Sequence, residues 1–313
     1  MLSSVENDAG TTELIYGQVI TRRGQVTIAL HIEGHGYLLT ASDTQESYPT
    51  GEKIDSGKII SAGRTDPLGS ISVTGAGDAM YIDALSQDIV QMFQKFKGSA
   101  DGLEGRVRHI VRAFHNVHVL PLMGRLHDDN LPRYFLLIAA THRGFRKMWS
   151  VDRTLLIESS DFYCVGIGKG LATSLLNRLY PRYATLDSLA ILAAYVIYRV
   201  KGSVDGCGLK TEIRFINSSS FGIGFVPQDL IDAWENLFRK YDLLEQEMFY
   251  QAMNFVERPP APPFPGHEEH FEKAFPPQMK PLPEIVSEIE SLRAEFRKLP
   301  ILPSQPLARR TQG

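Results

Sequence analysis

Cysteine is scarce in this chain. Cys164 and Cys207 are the only two among 313 residues, which excludes a disulfide framework. Long apolar runs are missing too. The longest, Leu189 to Tyr198, falls far short of the roughly 20 residues that span a bilayer, and the polar opening MLSSVENDAG has neither the basic nor the apolar region of a secretory signal. A cytoplasmic location with reduced thiols, and no membrane, is therefore expected. Charge of one sign is also lacking: 33 Lys and Arg against 36 Asp and Glu leave a net charge of -3, so no electrostatic footprint for nucleic acid is present. Two short motifs fall short of their patterns. In His267-Glu-Glu-His270 the histidines stand three apart, where a zinc-protease helix needs four, and they sit among prolines, so a solvated loop is expected. GIGKG after FYCV carries Leu171 where a dinucleotide loop needs its third glycine and also fails the P-loop pattern; a tight strand-to-helix turn is the simpler reading.

What remains is an ordinary globular composition, 43% hydrophobic and 22% charged, in a chain long enough for one large domain or two smaller ones. Residues 1–26 read as an N-terminal extension, polar at first and β-like at Leu14 to Ile20 and from Gln25. From Thr27 the β-branched and apolar pattern predicts strands at Thr27 to Ile32, Tyr37 to Ser42, Lys58 to Ser61 and Ser70 to Thr74. A helix follows at Asp78 to Phe96, with Met80, Ala84, Ile89, Met92, Phe93 and Phe96 as its apolar stripe, and a second at Leu103 to Phe114. Strands are expected again at Tyr134 to Thr141, Lys147 to Val151, Thr154 to Glu158 and Phe162 to Gly166. Helices follow at Lys169 to Leu179 and Leu186 to Lys201, the latter capped by Thr185, then a hairpin from Thr211 to Phe225. Strands and helices come in blocks, which argues for helices outside stacked antiparallel sheets, an α+β fold built as a four-layer α-β-β-α sandwich. Asp229 to Phe255 adds an amphipathic helix that completes a domain over 27–256. Residues 257–313 form a proline-rich tail with a short helix at Glu284 to Lys298.

Within this pattern one constellation carries chemistry. Thr27 opens the first strand, Asp43 closes the second, Lys58 lies on the third, and TGAGD (Thr74 to Asp78) separates the fourth from a helix. Each residue taken alone is ordinary for a strand or turn. Their order and spacing, with the GAGDA turn, resemble a proteasome β-subunit and its bacterial relatives, N-terminal-nucleophile hydrolases, over roughly Thr27 to Phe225. The resemblance implies a threonine-type endopeptidase. Thr27 matches the nucleophile, its freed α-amine acting as base, because an amine titrating near ~8 takes the hydroxyl proton at neutral pH. Lys58 and Asp43 match the pair that tunes it, and Gly75 matches the glycine whose N–H binds the oxyanion. It further implies no metal or organic cofactor, peptide or unfolded protein as substrate, a ring-forming homo-oligomer, and an unfolding ATPase as partner.

The sequence departs from that family at three points. VGIGKG has Ile167 or Lys169 where the family has a serine. KGSVDGCG leaves open whether Asp205 or Ser203 stands for the family's further aspartate. Val26, and not glycine, precedes the nucleophile. Gly10-Thr11-Thr12 has the family's usual cleavage sequence, yet Thr11 lies 32 positions before Asp43, against 16 for Thr27, and the shorter spacing suits one tight hairpin. Three fates of the extension follow: cleavage at Val26–Thr27, a true start at position 26, or retention. Retention makes the chain a non-catalytic assembly or scaffold protein. A small-amide hydrolase on the same fold is the other alternative.

Overall fold

A computed structural model describes residues 25–26, 28–47, 53–65, 68–126, 131–181, 184–256 and 282–300. Thr27, Thr11 and the rest of residues 1–24, the proline-dense residues 257–281 with His267 and His270, and residues 301–313 lie outside the described residues. The described residues divide into two compact units, one up to 228 and one from 229 onward.

The first unit is α+β with two antiparallel sheets. Strands β1 (Gln25–Val26), β2 (Ala29–Gly34), β3 (Tyr37–Asp43), β4 (Gln45–Ser47), β5 (Lys53–Asp55), β6 (Ile60–Thr65) and β7 (Leu68–Asp78) come first. Helices α1 (Ala79–Lys95) and α2 (Ala100–His118) follow. Strands β8 (Tyr134–His142), β9 (Phe145–Asp152), β10 (Leu155–Ser159) and β11 (Phe162–Val165) lead to helices α3 (Lys169–Leu179) and α4 (Leu186–Ser203). The unit closes with β12 (Thr211–Asn217) and β13 (Ile223–Phe225). Among the described residues one sheet runs β10-β9-β8-β7-β1-β4-β5 with β6 also on β7, and the other runs β11-β2-β3-β12-β13.

The hairpin turns explain part of this register. Between β8 and β9 the two turn residues, Arg143 and Gly144, both have positive φ (51° and 81°), the geometry that a two-residue turn needs to match the right-handed twist of its strands. Helix α1 packs on β6, β7 and β8, and α2 packs on α1. Their core joins Ile71 and Val73, Leu136 and Ile138, Leu85, Ile89 and Phe93, and Leu103, Val107 and Val111. Helix α4 covers β2, β3 and β12, burying Leu189, Ala193, Val196 and Ile197. Thr185 caps it, its side chain accepting the Ser188 N–H at 3.3 Å. The sheets meet each other through β2 and β3 against β7 and β8, and through Leu38 and Ile216 against Ala139 and Met148.

Three local expectations change. The apolar stripe of α1 is Ile82, Leu85, Ile89 and Phe93, with Met80 exposed, since the buried face is set by where the helix leaves β7. TGAGD is not a turn: β7 continues through it to Asp78. Lys58 is not in a strand but in the segment just before β6, whose pairing with β7 begins at Ile60 opposite Val73.

The second unit contains α5 (Gln228–Val256), which begins at the boundary, and α6 (Leu282–Lys298). Phe238 lies 5.9 Å from Phe296 between ring centres, and Lys240 pairs with Glu295 at 2.9 Å, so one apolar and one charged contact tie the two helices. No helix among the described residues is long and apolar enough to cross a membrane.

Candidate active site

The site grows from the ends of β2 and β3. Antiparallel pairing sets Ala29 opposite Ser42 and Asp43 opposite Thr211 of β12, so the Asp43 carboxylate lies where three segments converge. Its side chain is fully buried. One oxygen accepts Lys58 Nζ at 3.0 Å and, at 3.4 Å, the backbone N–H of Ile28; the other accepts the Gly208 N–H at 3.0 Å. Lys58 Nζ also donates to the Gln45 carbonyl. An ion pair this deeply buried persists only when its remaining donors and acceptors are met, and here each carboxylate oxygen has a donor. Burial pulls the Lys58 ammonium below the ordinary lysine value, while the Asp43 carboxylate works the other way.

Gly75 lies in β7 between two pairings on the same strand. β6 pairs with β7 as far as Val73, and β1 pairs at Gly77 and Asp78, opposite Val26 and Gln25. A side chain at Gly75 is sterically barred: a Cβ would lie 2.5 Å from the Phe135 carbonyl and 2.9 Å from Ile82. Close packing is therefore an independent reason for this glycine.

The structure thus brings Asp43 and Lys58 into contact and sets Gly75 on β7 between the β6 and β1 pairings. Thr27, the expected nucleophile, lies outside the described residues; its neighbours Val26 and Ile28 are held by β4 and β7 and by Asp43 respectively. Asp205 is exposed in the turn after α4; from the same loop the Gly208 N–H donates to Asp43, the Gly206 carbonyl accepts the Gln45 side-chain amide at 2.9 Å, and buried Cys207 lies close enough to act on the Lys58 ammonium. Gln45, Gly208 and Glu212, which accepts the Lys58 N–H at 3.2 Å, went unread in the sequence. The pairing of Thr211 with Asp43 is what brings the last two near, and neither residue type marks that register beforehand. Among the described residues no group of three or more His, Cys, Asp or Glu is placed to hold a metal.

This arrangement of two antiparallel sheets with flanking helices has counterparts of known structure, and they define a proteasome-like fold. The Anbu (ancestral beta-subunit) protein from Yersinia bercovieri is similar over 75% of this chain and 99% of its own, with a TM-score of 0.57 at 13% identity. A Gly-1 mutant of Anbu from Hyphomicrobium sp. strain MC1 is similar over 71% and 96% (TM-score 0.57, 14% identity). Anbu from Pseudomonas aeruginosa, solved as a helical assembly, is similar over 76% and 98% (TM-score 0.57, 15% identity). No protein-family model and no curated protein matches the chain. The likeness corrects the family read from the motifs. These neighbours are Anbu proteins, which are proteasome-like without being classical proteasome β-subunits, and at such identity they carry the fold alone. Motif order follows strand order, so it cannot separate kinds of subunit that share one fold.

Proposed function

We propose that this chain is a threonine-type amide hydrolase that cleaves peptide bonds once Thr27 is an N-terminus. In this reading the Thr27 hydroxyl attacks the carbonyl carbon and its proton passes to the chain's own α-amine. The Gly75 N–H receives the developing oxyanion. The C–N bond breaks as the leaving amine takes the proton, and water then hydrolyses the ester and restores the hydroxyl. Lys58, kept charged by Asp43, lowers the cost of forming the alkoxide. What supports the reading is the buried Lys58–Asp43 pair, with the N–H of Ile28, next in sequence to Thr27, on the same carboxylate oxygen. Asp205 is proposed to act through the loop that carries Gly208. We further propose that the sheets and helices stack as four layers and that the chain works as a homo-oligomer, as the helical Anbu assembly from P. aeruginosa suggests. A closed assembly would admit only unfolded chains and would call for an unfolding ATPase.

The test is the N-terminus and intact mass of the purified protein, followed by fluorogenic peptide hydrolysis by a chain beginning at Thr27. Thr27→Ala is expected to lower turnover by roughly 1,000-fold or more without changing the melting temperature, and Lys58→Ala by roughly 100-fold. Undiminished turnover in Thr27→Ala sinks the assignment.

A second reading has one observation in its favour. Gln25 and Val26, the last two residues of the extension, are built into the sheet between β4 and β7. A purified chain that keeps residues 1–26 and hydrolyses nothing makes this a non-catalytic assembly protein.

A further inference from the structure

Lys58 has an unusual backbone environment for a residue at the centre of a candidate site. It lies in the segment 56–59, ahead of the first β6–β7 pair at Ile60 and Val73. A buried N–H without a ladder partner is costly, and a side chain must meet it. Glu212 does so from the opposite sheet, its Oε2 accepting the Lys58 N–H at 3.2 Å. The other oxygen, Oε1, is held by two donors of Arg214, Nε at 2.8 Å and the terminal nitrogen at 2.6 Å. Glu212 and Arg214 are two apart on β12, hence on one face, and that face carries Ile216, which packs on Ala139 and Met148 of the other sheet. The carboxylate therefore spans the two sheets and fastens the segment before β6. Gly57 lies beside it, a Cβ there falling at ordinary contact distance, 3.6 Å, from Glu212 Oε2. Glu212 takes hold of Lys58 at its main-chain N–H, while the Lys58 ammonium is held by Asp43 and the Gln45 carbonyl.

We infer that Glu212, locked by Arg214, is a positioning residue that sets the Lys58 backbone so that its ammonium reaches both Asp43 and the Gln45 carbonyl. The inference deepens the hydrolase reading and, as a source of catalytic geometry, rests on it. The pair is partly solvated and lines an open groove of about 530 Å³ with Ile223, Phe225 and Gln228, so substitution there leaves the core intact.

The experiment compares Glu212→Ala and Glu212→Gln in the full chain and in the chain beginning at Thr27. Hydrogen exchange of peptides covering residues 56–60 reads the clamp directly. Glu212→Ala is expected to exchange there roughly tenfold faster with a melting temperature lower by about 2–8 °C, the cost of one unmet buried donor, and Glu212→Gln, which keeps an acceptor oxygen, to stay near the parent. NMR titration of the Lys58 ammonium is expected to move up toward the ordinary lysine value in Glu212→Ala as the residue loosens into solvent. In peptide hydrolysis kcat is expected to fall roughly 10- to 100-fold with KM within about twofold, since small misplacements act on the chemical step, and Glu212→Gln is expected to recover most of it. Unchanged exchange and an unchanged Lys58 titration in Glu212→Ala overturn the clamp. Faster exchange with an undiminished kcat overturns the positioning role. If the parent itself hydrolyses nothing, the hydrolase reading fails, and the exchange and titration measurements still decide whether Glu212 fixes Lys58.

Discussion

The Asp43 carboxylate accepts from Lys58, Ile28 and Gly208, and of these partners the lysine alone was foreseeable. Lys58 lies 15 residues downstream, within the reach of a motif, whereas Gly208 lies 165 residues away and Glu212, which holds the Lys58 N–H, 154 residues from its partner. The acid and the base are residue types that advertise themselves. A backbone N–H does not, because every residue but proline has one and only the folded register aims it. The same asymmetry governs what a substitution does. Asp43→Asn keeps the shape but strips the countercharge from an ammonium that burial already disfavours. Urea denaturation is expected to show a loss of about 3–5 kcal/mol, the usual cost of breaking a buried pair from one side. A loss below ~1 kcal/mol would mean that the pair is far more hydrated than its 3% and 0% side-chain exposures indicate.

At the scale of elements, the longest strand among the described residues was the one least legible at its end. Gly75 and Gly77 in TGAGD look like turn punctuation, since glycine usually marks a break. In the fold they let β7 run on where neighbours crowd it: at Gly77 φ is +115° and a Cβ would lie 2.1 Å from the Arg133 carbonyl. Gly77→Ala is therefore expected to cost about 1–3 kcal/mol in thermal or denaturant unfolding, and an alanine that costs nothing would show that the end of β7 can swing away from Arg133. The loop after α4 stores strain of a similar kind. Leu209 sits at φ 56°, next to the Gly208 N–H that caps Asp43, and Lys201 Nζ holds its carbonyl at 3.1 Å. A leucine gives no sequence cue for a left-handed turn, whereas the helices on either side of this region declare themselves through periodicity and capping, as at Thr185. Lys58 was placed in a strand for the complementary reason: Ile59 and Ile60 look like strand residues, and only the register with Val73 shows that pairing starts one residue beyond Ile59.

For the molecule as a whole, acid stability reports on the seam between the sheets. His31, in the middle of β2, is fully buried, and burial lowers its pKa from 6.5 to about 3. The folded protein keeps it neutral down to about pH 3, while the unfolded chain takes up a proton at 6.5. Stability is thus complete above about pH 6.5 and drains as the pH falls toward 3, by up to roughly 5 kcal/mol. His31→Leu is expected to flatten the pH 3–6.5 limb of an unfolding series, and an unchanged limb would assign the acid loss elsewhere. Fold class and the blocks of strands and helices were legible because hydrophobic periodicity is local. One feature of the larger sheet reaches further than its size suggests. The two residues of β1 are the splice through which β4 and β5 join β7, since among the described residues the sheet order passes from β7 to β4 only by way of β1. Cutting the chain after Val26 would therefore do more than uncover an amine. If Gln25 and Val26 then depart, the main-chain groups of Glu46 and Ser47 on one bank and of Gly77 and Asp78 on the other lose their partners, leaving a lane one strand wide. On the hydrolase reading proposed above, such a lane would recruit another length of extended polypeptide, and maturation and substrate capture would be successive tenancies of one position in the sheet.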